Sequence, residues 1–460
     1  MNTQSQTEKM PVKQQENKMG TMPVGRLIIQ ISLPMMISMF VQALYNIVDS
    51  IFVAQISEEA LTAVSLAFPI QNLMISTAVG TGVGINALLS MRLGQHDEKA
   101  VTATALHGIF LGVFSTIIFV ILGLFTPRVY LSTQTNNPEI VELGVEYLKV
   151  IMIISIGMFG AITFERLLQS TGKTVLSMIS QLAGAITNII LDPVLIFGWG
   201  IFPEMGIAGA AWATVIGQIL AAIIALTLNI FYNKEIKLKL KHFRIKSKII
   251  FDIYKVGFPS IILSSLGSVL IYFLNLILGA FSATALAVLG VYFKLQSFIF
   301  MPVFGLNNGL VPIIAYNFGA KRKDRINRTT FLGALLAVII MVIGVFMFEF
   351  IPAQMLRLFN ASEDMLAIGV PALRIIALSF PMAALTITFI SVFQALGHGM
   401  IGMIISFVRQ LVVLLPVAWL LSLLGNVDYV WWSFVIAEVV TLIISISSLK
   451  SVTKKELKDL

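Results

Sequence analysis

Long apolar stretches separated by short polar segments run along almost the whole chain. Each is about 20 residues or longer, the length that an α-helix needs to cross the hydrocarbon core of a bilayer. The pattern therefore predicts an all-α membrane protein with twelve transmembrane spans, at residues 27–55, 61–91, 101–125, 147–167, 175–199, 208–232, 249–280, 285–316, 331–350, 367–396, 400–424 and 430–449.

Composition and charge agree with a multi-pass membrane protein. The 460 residues are 57% hydrophobic and 12% charged, whereas soluble domains carry about 25% charged residues. Most of the 31 Lys and Arg lie in the termini and in alternate loops, most densely within residues 234–255 and 321–328. The positive-inside rule then places both termini in the cytoplasm. We expect the spans to lie in the inner (plasma) membrane. Orientation explains the basic charge, and no nucleic-acid partner is predicted.

The second half of the chain repeats the first when the sequence is shifted so that Pro34 coincides with Pro259. This shift brings unlike residue types into register together, as in the pairs Gly80/Gly305, Gly84/Gly309, Gly94/Gly319, Gln169/Gln394 and Gly172/Gly397. Each repeat holds six spans, so both halves enter the membrane in the same orientation. This predicts two six-helix lobes related by a pseudo-two-fold axis along the membrane normal.

The domain boundaries follow from the spans and the repeat. The N-terminal segment is polar and lacks the apolar core of a signal peptide. We expect a cytoplasmic N-terminal tail at residues 1–26, an N-lobe at 27–232, a basic cytoplasmic linker at 233–248, a C-lobe at 249–450 and a cytoplasmic C-terminal tail at 451–460.

Two carboxylates lie inside predicted spans, Asp49 in the first and Asp192 in the fifth. A charged side chain at the centre of a membrane helix costs about 2.5–3.5 kcal/mol, so such residues mark proton or ion pathways by default. Under the shift that relates the two halves, these acids fall on Leu274 and Val417. The sequence therefore predicts one cation site, in the N-terminal half, rather than a site on the pseudo-two-fold axis.

Both acids belong to polar helix faces, because residues three or four apart share a face. These faces hold Gln42, Tyr45, Asn46 and Asp49 on span 1, Gln181, Asn188 and Asp192 on span 5, and Thr214 and Gln218 on span 6. If the faces meet, the two carboxyl groups can share a proton, since both do not ionise easily in a low dielectric. The same oxygens can instead bind Na⁺. The structural alternative is that these polar groups only bond helices together.

Several further intramembrane charges are open to more than one interpretation. Glu165 and Arg166 lie near the cytoplasmic end of span 4, where a local ion pair or snorkelling is favoured. Lys294 in span 8 and Glu438 in span 12 either pair with each other or line a cavity.

No motif for ATP binding or catalysis is visible. Residues 172–174, Gly-Lys-Thr, resemble the end of a P-loop, but Leu167 stands where the first glycine belongs. The histidines are scattered, and nothing resembles a Ser-His-Asp set. The sequence predicts a transporter that uses no ATP, and not an enzyme.

The spans, the repeat and three motifs together resemble the multidrug and toxic-compound extrusion (MATE) family. Leu33-Pro34 followed by residues 45–49 (Tyr-Asn-Ile-Val-Asp) is similar to the family's first helix. Residues 188–193 (Asn-Ile-Ile-Leu-Asp-Pro) are similar to its fifth helix, and residues 209–214 (Gly-Ala-Ala-Trp-Ala-Thr) to the start of its sixth. The resemblance covers nearly the whole chain and is closest to the DinF-like branch, which includes the MepA-like bacterial drug exporters.

The resemblance implies an antiporter that exports lipophilic, mostly cationic drugs and dyes in exchange for H⁺ or Na⁺, with no other cofactor. It implies an N-lobe cation site, able to take Na⁺ as well as a proton, made by Asp49, Asn188, Asp192 and Thr214, with a backbone carbonyl from Ala210 and a contribution from Tyr147. The residues predicted to line the substrate pocket are Gln42, Tyr45, Asn46, Gln181, Gln218 and Lys294.

The sequence differs from one branch of the family, and three other functions remain as alternatives. The NorM-like branch carries C-lobe carboxylates on spans 7 and 10, whereas here Asp252 and Asp364 lie at span ends, which argues against a C-lobe Na⁺ site. The main rival is a flippase for lipid-linked saccharides, of the same broad superfamily. It would need a strongly cationic cavity, for which the chain offers only Lys294, Arg374 and Arg409. An integral membrane enzyme and a passive channel are the remaining two.

Overall fold

The predicted apolar stretches are α-helical. The computed structural model describes residues 17–238, 243–359 and 361–458. Within these ranges the secondary structure is helical and contains no β-strand. The all-α prediction is therefore confirmed.

The helices divide into two consecutive sets that correspond to the two lobes. A short helix, α1 (Lys18–Thr21), precedes the N-lobe, whose helices are α2 (Val24–Ala54), α3 (Glu58–Gly94), α4 (Glu98–Gln134), α5 (Pro138–Ile153), α6 (Ile156–Ser170), α7 (Thr174–Ile196) and α8 (Gly206–Tyr232). The C-lobe contains α9 (Ser247–Gly279), α10 (Ala283–Gly319), α11 (Lys323–Phe350), α12 (Pro352–Arg357), α13 (Glu363–Ala377), α14 (Phe380–Ala395), α15 (Gly399–Phe407), a π-helical segment (Val408–Leu414), α16 (Leu415–Ser422) and α17 (Val427–Glu456).

Twelve spans result, as the apolar pattern predicts. In the described ranges, ten helical stretches are long and apolar enough to cross a membrane, with α15, the π-helical segment and α16 counted as one. The other two spans are the helix pairs α5–α6 and α13–α14, which bend by 44° and 49°.

The helix of the fourth span starts before residue 147, where the apolar stretch begins. It begins at Pro138, a residue type that suits the first helical position, and the Asn137 side chain accepts a hydrogen bond from the Glu139 N–H at 3.0 Å. The first turns of α5 carry an exposed charged face, formed by Glu139, Glu142, Glu146 and Lys149. That face lowers the apolar content of the segment, so a search for apolar stretches misses it.

The repeat is visible in the backbone itself. Ser57 and Ser282 occupy equivalent positions, and each hydroxyl oxygen accepts a hydrogen bond at 3.0 Å that caps α3 or α10. Residues in the left-handed region include the equivalent pairs His96/Lys321, Gly172/Gly397 and Gly200/Gly425. The lobes thus share one backbone plan, with the offset between them that the sequence repeat predicts.

Each lobe has its own apolar core, and α2 contributes to both. In the N-lobe, the rings of Phe119 and Phe159 stack with centroids 5.5 Å apart. The C-lobe core surrounds the fully buried Phe380 and takes in Leu27 and Ile31 from the first turns of α2. The start of span 1 therefore packs on the opposite lobe, while its second half faces the N-lobe helix α7.

Glycines bring the two lobes into backbone contact. α3 packs along α9, and α2 packs along α10. A methyl group on Gly84 would lie 2.2 Å from the carbonyl oxygen of Ile253, and one on Gly309 would lie 2.3 Å from the hydroxyl oxygen of Ser32. Gly84 and Gly309 are repeat partners in the helix halves nearest the chain termini. The lobes are therefore closed against each other on the side of the termini.

Residues 17–22 form a clasp between the lobes on the same side. Asn17 donates a hydrogen bond to the carbonyl oxygen of Thr171 in the N-lobe, at 3.2 Å. Arg325 of α11 donates to the carbonyl oxygen of Met19, at 2.9 Å. These contacts must break before the lobes can separate on this side.

Candidate cation and substrate site

Small residues let α7 and α8 approach closely enough to join their polar faces. A methyl group on Gly217 would lie 2.7 Å from the carbonyl oxygen of Gly184, so the two backbones nearly touch. One turn further along α7, the Asn188 amide donates to Asp192 Oδ1 at 3.2 Å and to Thr214 Oγ1 at 3.3 Å. The structure thus brings these predicted residues together.

Asp49 reaches the same cluster from α2. Its carboxyl group is half-buried and interacts electrostatically with that of Asp192, which is fully buried. Three acceptor oxygens here are buried without a hydrogen-bond donor, namely Asp49 Oδ1, Asn188 Oδ1 and Asp192 Oδ2. Buried acceptors without donors are costly. The cluster therefore suits a proton or a hard cation that takes oxygen ligands.

The donor set does not resemble a transition-metal centre. In the part of the chain that the structure describes, no three His, Cys, Asp or Glu side chains lie together as metal ligands. The cluster instead offers two carboxylates, one amide and one hydroxyl. Such oxygens suit H⁺ or Na⁺ better than a soft metal.

Tyr147 and Ala210 lie close to this cluster. Tyr147 is buried, its hydroxyl oxygen accepts a hydrogen bond from Gln71 Nε2 at 3.2 Å, and it interacts electrostatically with both Asp49 and Asp192. Ala210 is buried on α8, one turn before Thr214. Gln71 was not predicted at the site. The sequence feature that could have pointed to Gln71 is a polar side chain within the apolar residues of span 2.

A cavity of about 200 Å³ lies beside the cluster within the N-lobe. Most of its walls come from α2, α6, α7 and α8, and it reaches Asn188 and Thr214 of the cluster. Four of the residues predicted for the substrate pocket line it, namely Gln42, Tyr45, Gln181 and Gln218. The cation cluster and the cavity therefore share walls.

Two residues predicted for the pocket do not line this cavity. Asn46 is exposed and is not among the residues that line the cavity. Lys294 is also exposed, and its Nζ lies 5.8 Å from the ring centroid of Phe359 in the C-lobe. Their assignment to the substrate pocket stays a prediction.

Of the two alternatives for Lys294 and Glu438, the structure contradicts the one in which they pair with each other. Glu438 is buried and pairs with Arg409, whose Nη1 lies 3.0 Å from Glu438 Oε1. The sequence could not distinguish the two cations, because the choice depends on how spans 8, 11 and 12 are rotated against each other.

Glu165 and Arg166 are buried cavity residues that interact electrostatically with each other, so the interpretation as snorkelling side chains is wrong. Glu165 accepts a hydrogen bond from Gln181 Nε2 at 2.6 Å, and Arg166 donates to Gln169 Oε1 at 2.9 Å. The sequence does contain a pattern that favours this arrangement. Glu165 and Gln169 are four residues apart and therefore form a polar face on α6.

Comparison with known families now decides the kind of protein. The family model described as MatE matches residues 34–194 and 259–420. The chain belongs to the MatE family. One matched segment lies in each lobe. The family model therefore matches the chain twice, in agreement with the sequence repeat. The family resemblance read from the motifs is confirmed, and the protein is a multi-pass membrane transporter.

Curated relatives match over nearly the whole chain. The chain is 28% identical over 420 residues to "Multidrug export protein MepA" of Staphylococcus aureus strain MSSA476, covering 90% of this chain and 91% of the relative. It is 27% identical over 412 residues to the protein of the same name from Staphylococcus saprophyticus, covering 89% of this chain and 90% of the relative.

Solved structures have the same fold. One, described as the "outward-facing conformation of a multidrug resistance MATE family transporter of the MOP superfamily", matches with a TM-score of 0.90 at 24% identity, over 97% of this chain and 99% of that chain. A "MOP superfamily transporter from Pyrococcus furiosus" matches with a TM-score of 0.89 at 24% identity, over the same shares. The likeness confirms the fold of two six-helix lobes.

Proposed function

We propose that the protein is a secondary antiporter that exports lipophilic cationic drugs and dyes in exchange for H⁺ or Na⁺. The observation that carries the proposal is the pair of carboxyl groups, Asp49 and Asp192, whose unpartnered oxygens lie beside a largely apolar cavity. The names of the curated relatives support drug export as the task. The alternating distribution of basic residues supports a plasma-membrane location with both termini in the cytoplasm.

The cavity supports a substrate that is both apolar and cationic. Methionines at three wall positions, Met35, Met39 and Met158, can adapt to substrates of different shape. The carboxyl group of Glu165, when ionised, supplies a negative charge, and the glutamines supply adjustable hydrogen bonds. Together these features favour a site that accepts substrates of many shapes but prefers those with a positive charge.

Coupling requires only that the two access states hold the cation with different affinity. The glycine interface and the clasp close the lobes against each other on the side of the termini. If the termini are cytoplasmic, the protein is closed to the cytoplasm and faces outward. An external cation would bind Asp49 and Asp192, neutralise them and change the packing of α2, which favours drug release. The lobes would then close outside and open inside, where the cation leaves and drug binds.

The flippase function is not favoured by the charges in the structure. A pyrophosphate headgroup would need several free cations around the cavity. Arg409 is paired with Glu438, Arg374 lies 3.8 Å from Glu349, and Lys294 is exposed elsewhere. Among the described residues, the cation that lines the cavity is Arg166, which interacts electrostatically with the adjacent acid Glu165.

Transport by purified protein in proteoliposomes tests the proposal. With either an H⁺ or a Na⁺ gradient imposed, we expect ethidium to accumulate several-fold above equilibrium on the side from which the cation is drawn. An ionophore that collapses the active gradient should abolish accumulation. Equilibration without accumulation under both gradients would indicate a passive channel. No movement of ethidium at all would contradict the proposal that the protein exports cationic dyes.

Replacing the Thr214 hydroxyl tests the cluster as the cation site. Thr214→Val keeps the shape of the side chain but removes the oxygen that accepts from Asn188. Because one hydrogen bond contributes about 0.5–1.5 kcal/mol, we expect the cation concentration for half-maximal transport to rise about three- to tenfold. Thr227→Val is the matched control, since Thr227 is exposed on the same helix. An unchanged cation dependence in Thr214→Val would place the site elsewhere.

A further inference from the structure

Two surface grooves occupy equivalent places in the two lobes. The N-lobe groove lies between α4, α6 and α8, and the C-lobe groove lies between α11, α14 and α17. Four equivalent positions line both, namely Ile109/Ala334, Val113/Val338, Gly160/Leu385 and Phe164/Phe389. Their outer edges carry exposed apolar side chains such as Val113 and Phe331. The repeat therefore builds two grooves that face the lipid.

The grooves differ in chemistry at the end nearest the chain termini. There the C-lobe groove is lined by Asn327, Thr330, Lys450 and Thr453. The N-lobe has Ala105 and Ala225 at the positions equivalent to Thr330 and Lys450. Its groove is lined by apolar residues and glycines, with Thr163 as the polar exception. The Lys450 cation and the Thr330 hydroxyl are thus present in one copy of the shared groove and replaced by alanines in the other.

The dimensions of the C-lobe groove fit an acyl chain. Its volume is about 540 Å³, against about 300 Å³ for the N-lobe groove. Its lining on α11 runs from Ile326 to Val338, a rise of about 18 Å at 1.5 Å per residue. One leaflet contributes about half of a hydrocarbon core that is about 30 Å thick. The groove therefore spans about the depth of one leaflet.

The cation at the polar end is available to a ligand. Lys450 is exposed and forms no ion pair with any residue that the structure describes. Lys454 follows one turn later on the same helix, and like charges at this spacing repel each other. Glu456, six residues later on α17, is engaged by His398, whose Nε2 lies 3.0 Å from Glu456 Oε1. An anion beside Lys450 would therefore be stabilised.

We propose that the C-lobe groove binds one anionic phospholipid from the leaflet on the side of the chain termini. The phosphate lies at Lys450, with Asn327 and Thr330 as hydrogen-bonding partners, and one acyl chain follows α11 past Ala334 towards Val338. The N-lobe groove has no such cation and does not select among headgroups.

Native mass spectrometry of the full-length protein in detergent tests this site. Phosphatidylglycerol and phosphatidylcholine with identical acyl chains are added in equal amounts, and the retained adducts are compared. We expect the wild type to retain one phosphatidylglycerol about fivefold more than phosphatidylcholine, because a lysine near an anionic headgroup contributes about that factor. Lys450→Gln should remove the preference, and Ala334→Phe, which fills the apolar part, should remove the bound lipid.

Two matched variants make the outcome specific. Lys455→Gln removes the same charge from an exposed position that does not line the groove, and Ile109→Phe fills the equivalent N-lobe position. Both should keep the wild-type preference. The proposal fails if Lys450→Gln keeps the preference, if Lys455→Gln loses it equally, or if the wild type shows none. Loss of lipid in Ala334→Phe combined with no headgroup preference in the wild type would leave a nonselective apolar groove.

Discussion

Asp49→Asn is expected to reduce gradient-driven efflux to the background of cells without the transporter, a loss of at least about tenfold. Asparagine keeps the size and hydrogen-bonding capacity of the side chain but cannot release a proton or supply a negative charge to Na⁺. The Asp49 carboxyl group interacts with that of Asp192, so the substitution also removes the coupling between the two charges.

Ethidium efflux from preloaded cells, at matched protein level, measures this effect. Asp364→Asn is the matched control, since it makes the same replacement at an exposed position in the first turn of α13. It should leave efflux within about twofold of wild type. Equal efflux from wild type and Asp49→Asn would remove Asp49 from the coupling step.

The same variant distinguishes a functional from a structural role for Asp49. An intramembrane carboxylate costs about 2.5–3.5 kcal/mol at a helix centre. The asparagine side chain of the variant carries no charge, so the thermal unfolding midpoint should stay equal or rise if Asp49 is retained for transport. A lower midpoint together with lost efflux would indicate that the carboxyl group mainly stabilises the packing of α2.

The sequence predicts the fold well because the membrane leaves few alternatives. Apolar length fixes the number of spans, and the sequence repeat relates even the left-handed pairs Gly172/Gly397 and Gly200/Gly425. The bend in the fourth span was not predictable, since no proline lies between Ile153 and Ile156. Its C-lobe equivalent has Pro381 at the start of α14, where a bend is expected.

Contacts within the site are predictable from the sequence only where both residues lie on the same helix. Helical periodicity alone places Asn188 beside Asp192, and the structure joins them by a hydrogen bond. Which residues of neighbouring helices face the same cavity depends on how each helix is rotated. That rotation brings in Glu165 and leaves out Lys294, although both are charged residues within spans.

Gly94→Ala and Gly319→Ala are expected to abolish transport without touching the site. These repeat partners lie where α3 crosses α10, and a methyl group on either would lie 1.9 Å from a backbone carbonyl oxygen of the other lobe, that of Tyr316 or Met91. Backbone atoms cannot move aside as a side chain can. The lobes would have to separate on the side of the termini, which strains the clasp and removes the closed state from the cycle.

Efflux and thiol accessibility together measure this effect. The chain has no cysteine, so a single reporter, Ser32→Cys, can be added at the lobe interface, where Ser32 is buried. We expect efflux to fall at least tenfold and maleimide labelling of the reporter to rise in both glycine variants. Gly290→Ala is the matched control on α10, since no atom lies within 4 Å of its added methyl group, and it should behave as wild type. Normal efflux with a protected reporter in Gly94→Ala would mean that the lobes need not close at this crossing.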